Sequence, residues 1–287
     1  MIERTIVGVD GSEKAQGALE WALGREAPRR GNLVIVRVVD DTMMSGDYLL
    51  AGRTIDAARE ALESLAESVR ADHPGIGLET ELVQGDPSTE LGRFSDSASL
   101  IVVGTRKRTG SRFRYAWSVG TRLATKASGP VAIIPDGERT SASKVVVVGV
   151  DGSPGSMVAV RFAAADAAER GCLLRAVHAW QEPLAWQDAY APEDEFLATL
   201  EASHQTLLDE SLAQIRVDHP DLQVDGQLVH GTPAWAVLDA AKDAGLLVVG
   251  NHGRSGVSRF LLGSVSHTVV LNIVSPTIVV RQDVAAG

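Results

Sequence analysis

Short apolar runs rich in valine and isoleucine alternate along the chain with longer segments in which apolar residues recur every three or four positions. The short runs are typical of buried strands, and the longer spacing is typical of amphipathic helices. In the first half the runs lie at about 4–9, 33–39, 78–84, 100–103 and 131–134. Five strands that alternate with helices predict a doubly wound α/β sandwich around a parallel sheet.

The sequence predicts both the buried faces of the first helices and the residues at which they begin. A first helix face is predicted from Ala15, Ala18, Leu19, Ala22 and Leu23, and a second from Ala58, Leu62, Leu65 and Val69. Ser12 and Ser153 stand where an N-cap residue belongs, and Pro154 suits the first position of a helix. The helix that follows the first strand is therefore predicted to begin near residue 13 in one half and near 154 in the other.

The two halves of the chain carry the same motifs in the same order. Four pairs match: TIVGVDGS (5–12) with VVVGVDGS (146–153), RADHP (70–74) with RVDHP (216–220), LVQGDP (82–87) with LVHGTP (228–233), and LIVVGTR (100–106) with LLVVGNH (246–252). The second half has five extra residues between its second strand and residue 215. We interpret this as a duplication. The polar stretch 136–144 is typical of a linker, so we predict one domain over residues 1–137 and another over 144–287.

Three strand ends in each half carry residues suited to a ligand. In open parallel sheets, ligands bind beyond the carboxyl ends of the strands, at the point where the winding reverses. The strand ends are Val9-Asp10-Gly11, Val38-Val39 and Gly104 in the first half, and Val150-Asp151-Gly152, Ala179-Trp180 and Gly250 in the second. If the first and fourth strands are neighbours, the three ends of each half surround one crevice.

The loop after the fourth strand of the second half has the composition of an anion site. Gly250, Gly253 and Gly263 would let backbone N–H groups approach an anion, and Ser264 adds a hydroxyl at the start of a helix predicted to reach about Asn272. There is no acidic residue from Leu246 to Arg281, whereas His252, Arg254, Arg259 and His267 are present. This pattern predicts a phosphate-binding loop.

The spacing Gly250-x2-Gly253-x9-Gly263-Ser264, the strand-end Asp151 and the strand around Val177-His178-Ala179 resemble the universal stress protein family. The resemblance covers nearly the whole chain as two tandem domains, and it implies a Rossmann-like fold in each. In the ATP-binding branch it implies nucleoside contacts from Val150, Asp151, Gly152, Ala179, Val249 and Gly250. It implies phosphate contacts from Gly253, Gly263, Ser264 and Val265, with His252 and Arg254 beside them. Mg²⁺ often accompanies such triphosphates, although the sequence has no cluster of metal ligands.

The first half departs from this pattern in its loop. Lys107 and Trp117 occupy the positions of Gly253 and Gly263, and a tryptophan would fill the space that a phosphate needs. We therefore expect a degenerate site that binds no nucleotide, or another anion through the basic run 106–126. The residues that would keep a nucleoside end there are Asp10, Val38, Gly104, Ser118 and Val119.

Composition narrows the classes of function. The formal net charge of −10 opposes non-specific binding to nucleic acid or to anionic membranes. The single cysteine, Cys172, excludes an intrachain disulfide, and the chain has neither a signal-peptide pattern nor an apolar run long enough to span a membrane. We therefore expect a cytoplasmic protein. Motifs typical of serine hydrolases, zinc proteases and Walker-type ATPases are missing.

These observations predict an ATP-binding, nucleotide-dependent regulatory module of the stress response, which acts on a regulatory partner that the sequence does not identify. Two alternatives remain: a nucleotide-independent interaction or scaffold protein, and a slow ATP hydrolase. The final apolar strand of each half, 131–134 and 277–280, would lie at a sheet edge, and such edges seek a partner strand. We expect the halves of one chain to pair through these strands as an intramolecular pseudo-dimer. Two such chains could in addition form a homodimer.

Structural roles compete with several of these assignments. Glycines that follow a strand often serve only as turn formers, and an aspartate at a helix start is favoured by the helix dipole. His178 is expected to be a hydrogen-bonded core residue, and the tryptophans Trp21, Trp180, Trp186 and Trp235 are expected to pack. Cys172 is expected to begin a buried strand. The basic run 106–126 could equally be a solvated face.

Overall fold

The computed structural model describes residues 2–40, 48–105, 118–136, 143–182, 194–252 and 262–281. In the two longest helices, side chains are described from residue 52 and from residue 195 onward. These residues form two compact units, one on each side of residues 137–142. Lys107, Trp117, Gly253, Arg254 and Arg259 lie outside the described residues.

The first unit is a doubly wound α/β domain. Its strands are β1 (Arg4–Val9), β2 (Asn32–Val39), β3 (Gly77–Gln84), β4 (Ser99–Thr105) and β5 (Val131–Pro135). Its helices are α1 (Glu13–Glu26), α2 (Tyr48–Asp72), α3 (Pro87–Gly92) and α4 (Val119–Lys126). The strands are parallel and lie in the order β3-β2-β1-β4-β5. The winding therefore reverses at β1, between β2 and β4.

The second unit repeats this architecture. Its strands are β6 (Val145–Gly149), β7 (Leu173–Trp180), β8 (Val224–His230), β9 (Leu246–Gly250) and β10 (Thr277–Val280). Its helices are α5 (Pro154–Arg170), α6 (Asp194–Asp218), α7 (Pro233–Ala240) and α8 (Ser264–Leu271). The parallel order is β10-β9-β6-β7-β8, with the reversal at β6. The predicted fold class and the predicted neighbourhood of the first and fourth strands are confirmed.

The cores follow the predicted apolar pattern. All five predicted positions of α1 are buried. In α2 the buried face includes Ala58, Leu62 and Val69, while Ala66 is buried where Leu65 was predicted and Leu65 is only half-buried. The central strands β4 and β9 are buried on both faces, as helices on both sides of a parallel sheet require. Burial of each large aliphatic side chain stabilises such a core by roughly 1.5–3 kcal/mol.

The repeated Asp-Gly-Ser motif is a turn that joins the first strand of each unit to its first helix. Gly11 and Gly152 have φ values of 78° and 75°, a left-handed conformation that favours glycine. In the second unit, Asp151 Oδ1 accepts the Ser153 N–H at 2.9 Å, and Ser153 Oγ caps α5 by accepting the Ser156 N–H at 3.2 Å. The motif is thus explained by local geometry before any ligand is considered.

None of the described helices is both long enough and apolar enough to cross a membrane.

Candidate functional site

The carboxyl ends of β6, β7 and β9 open into one crevice of the second unit. Its walls come from the β6 turn, the tips of β7 and β9, the first turns of α7 and α8, and the chain just before α8. Nine of the residues predicted for a ligand line it: Val150, Asp151, Ala179, Val249, Gly250, His252, Gly263, Ser264 and Val265. Of the predicted residues of this half that the structure describes, Gly152 alone is not among the lining residues.

Asp151 stands at the rim of the crevice in a fixed turn. Its backbone N–H donates to Ser156 Oγ at 3.3 Å, and its carboxylate accepts the Ser153 N–H. The side chain is half-buried, so it remains accessible to a ligand. A carboxylate held in this way can accept hydrogen bonds from hydroxyl groups such as those of a ribose.

Gly250 has a structural reason to be glycine. A Cβ atom at this position would lie 2.6 Å from the carbonyl oxygen of Gly155, because the end of β9 packs directly on the start of α5. Gly104 is equivalent in the first unit, since its Cβ would lie 1.9 Å from the carbonyl oxygen of Lys14. Close backbone packing, not a ligand, therefore accounts for both glycines, although Gly250 also lines the crevice.

We expect Gly250→Ala to destabilise the protein by about 1–3 kcal/mol, the usual cost of overpacking, because the added methyl meets rigid backbone. Urea unfolding followed by circular dichroism measures the change. Gly17→Ala is the control: nothing lies within 4 Å of a Cβ there, and this helical position should gain up to about 1 kcal/mol. Equal stability of Gly250→Ala and the parent would contradict the packing explanation.

The start of α8 faces the crevice with the backbone donors of a first helical turn, which have no partner within the helix itself. Gly263 is its N-cap, with φ −62° and ψ 160°, and no side chain among the described residues caps the helix. This φ is open to any residue, so backbone freedom does not explain Gly263. The Gly263 N–H donates to the Asn251 carbonyl at 2.8 Å, which holds the helix start against the end of β9. Gly263 lines the crevice, and a glycine leaves space there.

His252 brings a buried polar atom to the crevice. Within the described part of the chain its Nε2 is inaccessible to water and has no hydrogen-bond partner. Leaving such an atom without a partner costs about 1–3 kcal/mol. A ligand group in the crevice could supply the missing hydrogen bond.

Sequence reasoning missed several walls of the crevice. Ser156, Val177, Pro233 and Val237 line it as well. Val177 and Val237 add apolar side chains to the lining of the crevice. Pro233 belongs to the repeated motif LVHGTP, which was a usable signal, whereas nothing in the sequence set Val237 apart.

The equivalent residues of the first unit are engaged in internal contacts. Asp10 Oδ2 lies 3.2 Å from Lys14 Nζ, and its other oxygen accepts the Ser12 N–H at 3.0 Å. Burial acts to raise the pKa of Asp10, but hydrogen bonds from Ser12 and Lys14 outweigh it and lower that pKa. Gly155 occupies the position of Lys14 in the second unit, so no lysine lies four residues after Asp151.

Two further features separate the first unit from the second. Ser118 caps α4, because its Oγ accepts the Thr121 N–H at 3.1 Å. Asp86 caps α3 and also lies 2.8 Å from Arg122. Hydrogen bonds from Ser88, then Thr89 and Arg122, hold the pKa of Asp86 well below its usual range. In the second unit Thr232 stands at the position of Asp86 and Thr268 at that of Arg122, so the two charged groups are both replaced by threonine. Asp10 and Ser118 thus have structural roles.

His178 is a hydrogen-bonded core residue, as predicted. Its Nδ1 lies 2.7 Å from the Val150 carbonyl oxygen and its Nε2 lies 2.9 Å from His204 Nδ1. Of the four tryptophans expected to pack, Trp180 is buried, but Trp235 is 53% exposed, so that expectation is wrong for Trp235. Cys172 is buried just before β7, as expected. No group of three or more metal-binding side chains occurs in the described ranges.

The fold and the crevice together define a class of protein: two tandem doubly wound domains, the second of which has a crevice at its topological switch point, where α8 begins. The chain belongs to the universal stress protein family, whose model matches residues 1–135 and 142–281. It therefore holds two tandem domains of this family.

Individual relatives agree over the full length. A universal stress protein of Mycolicibacterium smegmatis is 32% identical over 294 residues, which cover 96% of each chain. One from Mycobacterium tuberculosis is 32% identical over 293 residues, again 96% of each. The crystal structure of a universal stress protein from Archaeoglobus fulgidus has a TM-score of 0.68 at 20% identity and covers 97% of this chain and 96% of its own. At that identity, the last likeness shows the fold alone.

Proposed function

We propose that this universal stress protein binds ATP in the crevice of its second unit and acts as a nucleotide-dependent regulatory module. One observation carries the proposal. The Asp151 turn, the tips of β7 and β9 and the uncapped start of α8 converge on a single space at the switch point of the sheet. A carboxylate at one end and helix N–H groups at the other suit the two ends of a nucleotide.

In this proposal the crevice divides into two parts. Asp151 holds the ribose hydroxyls, while Val177, Val237 and the β7 tip at Ala179 contact the base. The N–H groups of Ser264 and Val265, the Ser264 hydroxyl and His252 Nε2 face the phosphates. Each charge at a helix start is stabilised by roughly 0.3–2 kcal/mol. The missing partner of His252 and the uncapped helix are the features of the described residues that favour an anion.

Magnesium would enter this site with the nucleotide. Asp151 is the one carboxylate among the described residues that line the crevice. Mg²⁺ commonly retains waters and binds through one or two carboxylates together with phosphate oxygens. The ion would neutralise phosphate charge, and the protein would contribute the position of the phosphates.

The asymmetry between the units supports one nucleotide per chain. In the first unit Lys14 neutralises Asp10, Ser118 caps its helix, and Trp117 replaces Gly263 in the sequence. Both ends of the equivalent space therefore differ from the second unit. Coupling of a single occupied site to partner binding is the regulatory role that we propose.

We expect about one tightly bound ATP per chain. Native mass spectrometry of the purified full-length protein gives the mass and the number of bound molecules, and calorimetric titration of nucleotide-free protein gives the affinity. Two equal tight sites would contradict the asymmetry. A protein that neither retains nor takes up a nucleotide would contradict the proposal and favour a nucleotide-independent scaffold.

A further inference from the structure

We propose that His178 is the positioning residue of the Asp151 turn, and that its hydrogen bond with His204 makes nucleoside binding depend on the number of protons this imidazole pair holds. The inference rests on the proposed nucleoside site. His178 and His204 come from β7 and α6, and they meet on the side of the sheet opposite the crevice. Successive strand residues face opposite sides, so Val177 and Ala179 line the crevice while His178 and Trp180 contact α6.

The hydrogen bonds define where the protons lie. A carbonyl oxygen only accepts, so the Nδ1 of His178 must carry the proton it donates to Val150 at 2.7 Å. When both rings are neutral, His178 Nε2 is therefore an acceptor, and His204 Nδ1 donates to it across 2.9 Å. One added proton leaves this bond intact, because either ring can then donate to the other.

A second added proton breaks the link. Both facing nitrogens would then carry hydrogen, and two cationic donors cannot share a 2.9 Å contact. His178 is only 2% exposed, so water cannot replace its partner without movement of α6. His204 has a stable place for one charge, since its ring stacks on Trp180 with centroids 5.5 Å apart.

The pair is connected directly to the nucleoside end of the crevice. Val150, which receives the His178 hydrogen bond, is the residue before Asp151. Leu207, one turn along α6 from His204, packs over Gly152, where its Cδ1 would be 3.2 Å from an added Cβ. Helix α6 therefore holds the Asp151 turn at two points, and a shift of α6 moves the turn.

The charged and titratable groups around the pair come from every neighbouring element. Asp151 follows β6, Glu182 follows β7, and His230 ends β8, where its Nε2 lies 3.0 Å from Glu182 and its ring meets Trp180 edge-on at 4.7 Å. Glu201 lies one turn before His204 on α6. Glu182 already has a partner in His230. A hydrogen bond from its own backbone lowers the pKa of Glu182 most, and the hydrogen bond from His230 lowers it further.

The first unit lacks this device. Arg37 and Val39 occupy the positions of His178 and Trp180, and Ala58 occupies that of His204. The pair is therefore restricted to the unit that holds the proposed nucleotide site.

The test measures the adenosine affinity of the full-length protein from pH 8 to about pH 4.5, because the second proton of two closely coupled imidazoles binds at a lower pH than the first. Circular dichroism at each pH establishes that the protein is folded. We expect the affinity of the parent to fall about five- to tenfold toward the acid end of this range. His204→Asn should bind like the parent at pH 8 and keep that affinity at the acid end, because an amide can donate to neutral His178 or accept from its cation. His204→Leu should be weaker at pH 8.

His219→Asn is the matched control, because His219 follows the last residue of α6, about four turns beyond His204, and it should retain the pH profile of the parent. A flat profile for the parent, or a fall that His204→Asn retains, would overturn the inference. If the parent binds no adenosine at pH 8, the proposed function fails instead. NMR titration of the imidazole nitrogens then tests the inference by itself. Uptake of the second proton should change the chemical shift of the Gly152 amide, and an unchanged Gly152 shift would overturn the inference.

Discussion

Gly263→Trp should reduce the affinity for ATP by roughly 100-fold or more while changing the affinity for adenosine by less than about threefold. The variant gives the second unit the residue that stands at the equivalent position of the first. Gly263 lines the crevice at the start of α8, so an indole there occupies the space assigned to phosphate. Loss of two charge-assisted hydrogen bonds, at about 1.5–3 kcal/mol each, accounts for the expected size.

Adenosine is the internal control for this experiment, because it uses only the nucleoside end of the crevice. Gly263→Ala is the graded control. Its φ of −62° suits alanine, so this variant should fold normally and lose little ATP affinity. Calorimetric titration of the three proteins with both ligands gives the comparison. Parent-like binding of ATP by Gly263→Trp would show that the phosphates lie elsewhere.

Proline at Ile133 or Val279 should separate the two units and lower the free energy of unfolding by about 1–3 kcal/mol, the cost of leaving a buried carbonyl without its donor. The expectation is that β5 and β10 pair to form a pseudo-dimer within the chain. In β5, the carbonyl of Pro130 and the N–H of Asp136 bond to β4. Backbone groups alternate in direction along a strand, so those of Ile133 point away from β4. By the same argument the carbonyls of Pro276 and Val280 bond to β9, and Val279 points away from it.

These proline substitutions therefore remove a donor directed away from each unit's own sheet. Ile133→Val and Val279→Ala are the controls, since both retain the N–H. The linker 136–144 joins the end of β5 to the start of β6 and reaches at most roughly 30 Å, which limits how far the two units can separate. Small-angle scattering should show an expanded profile for the proline variants only. Unchanged compactness and stability in both would contradict the pairing.

The sequence was sufficient to predict the strands of each unit, because the apolar runs coincide with them and the repeated motifs locate the same turns twice. It also predicted most of the residues that line the crevice, since the ends of β6, β7 and β9 must meet at one edge of the sheet. Gly250 shows how such a prediction can name the right residue for an incomplete reason. Its spacing suggested a ligand, whereas its contact with Gly155 is a packing requirement that only coordinates reveal.

Other features depended on contacts between distant segments. His178 and His204 are 26 residues apart and meet only because α6 packs against β7. Arg122 and Asp86 are 36 residues apart, and their ion pair follows from the packing of α3 beside α4. The Asp10–Lys14 pair is different, because its four-residue spacing at a helix start was readable in the sequence. It is a second sign, independent of Trp117, that the two units differ.

Amide chemical-shift mapping of the full-length protein with ATP tests the central claim most directly, because both units are observed in one sample. The account predicts large shifts at Asp151, Ala179, Gly250 and Ser264, and none at the equivalent positions Asp10, Val38, Gly104 and Ser118. Comparable shifts at both sets, or shifts confined to the first unit, would contradict it.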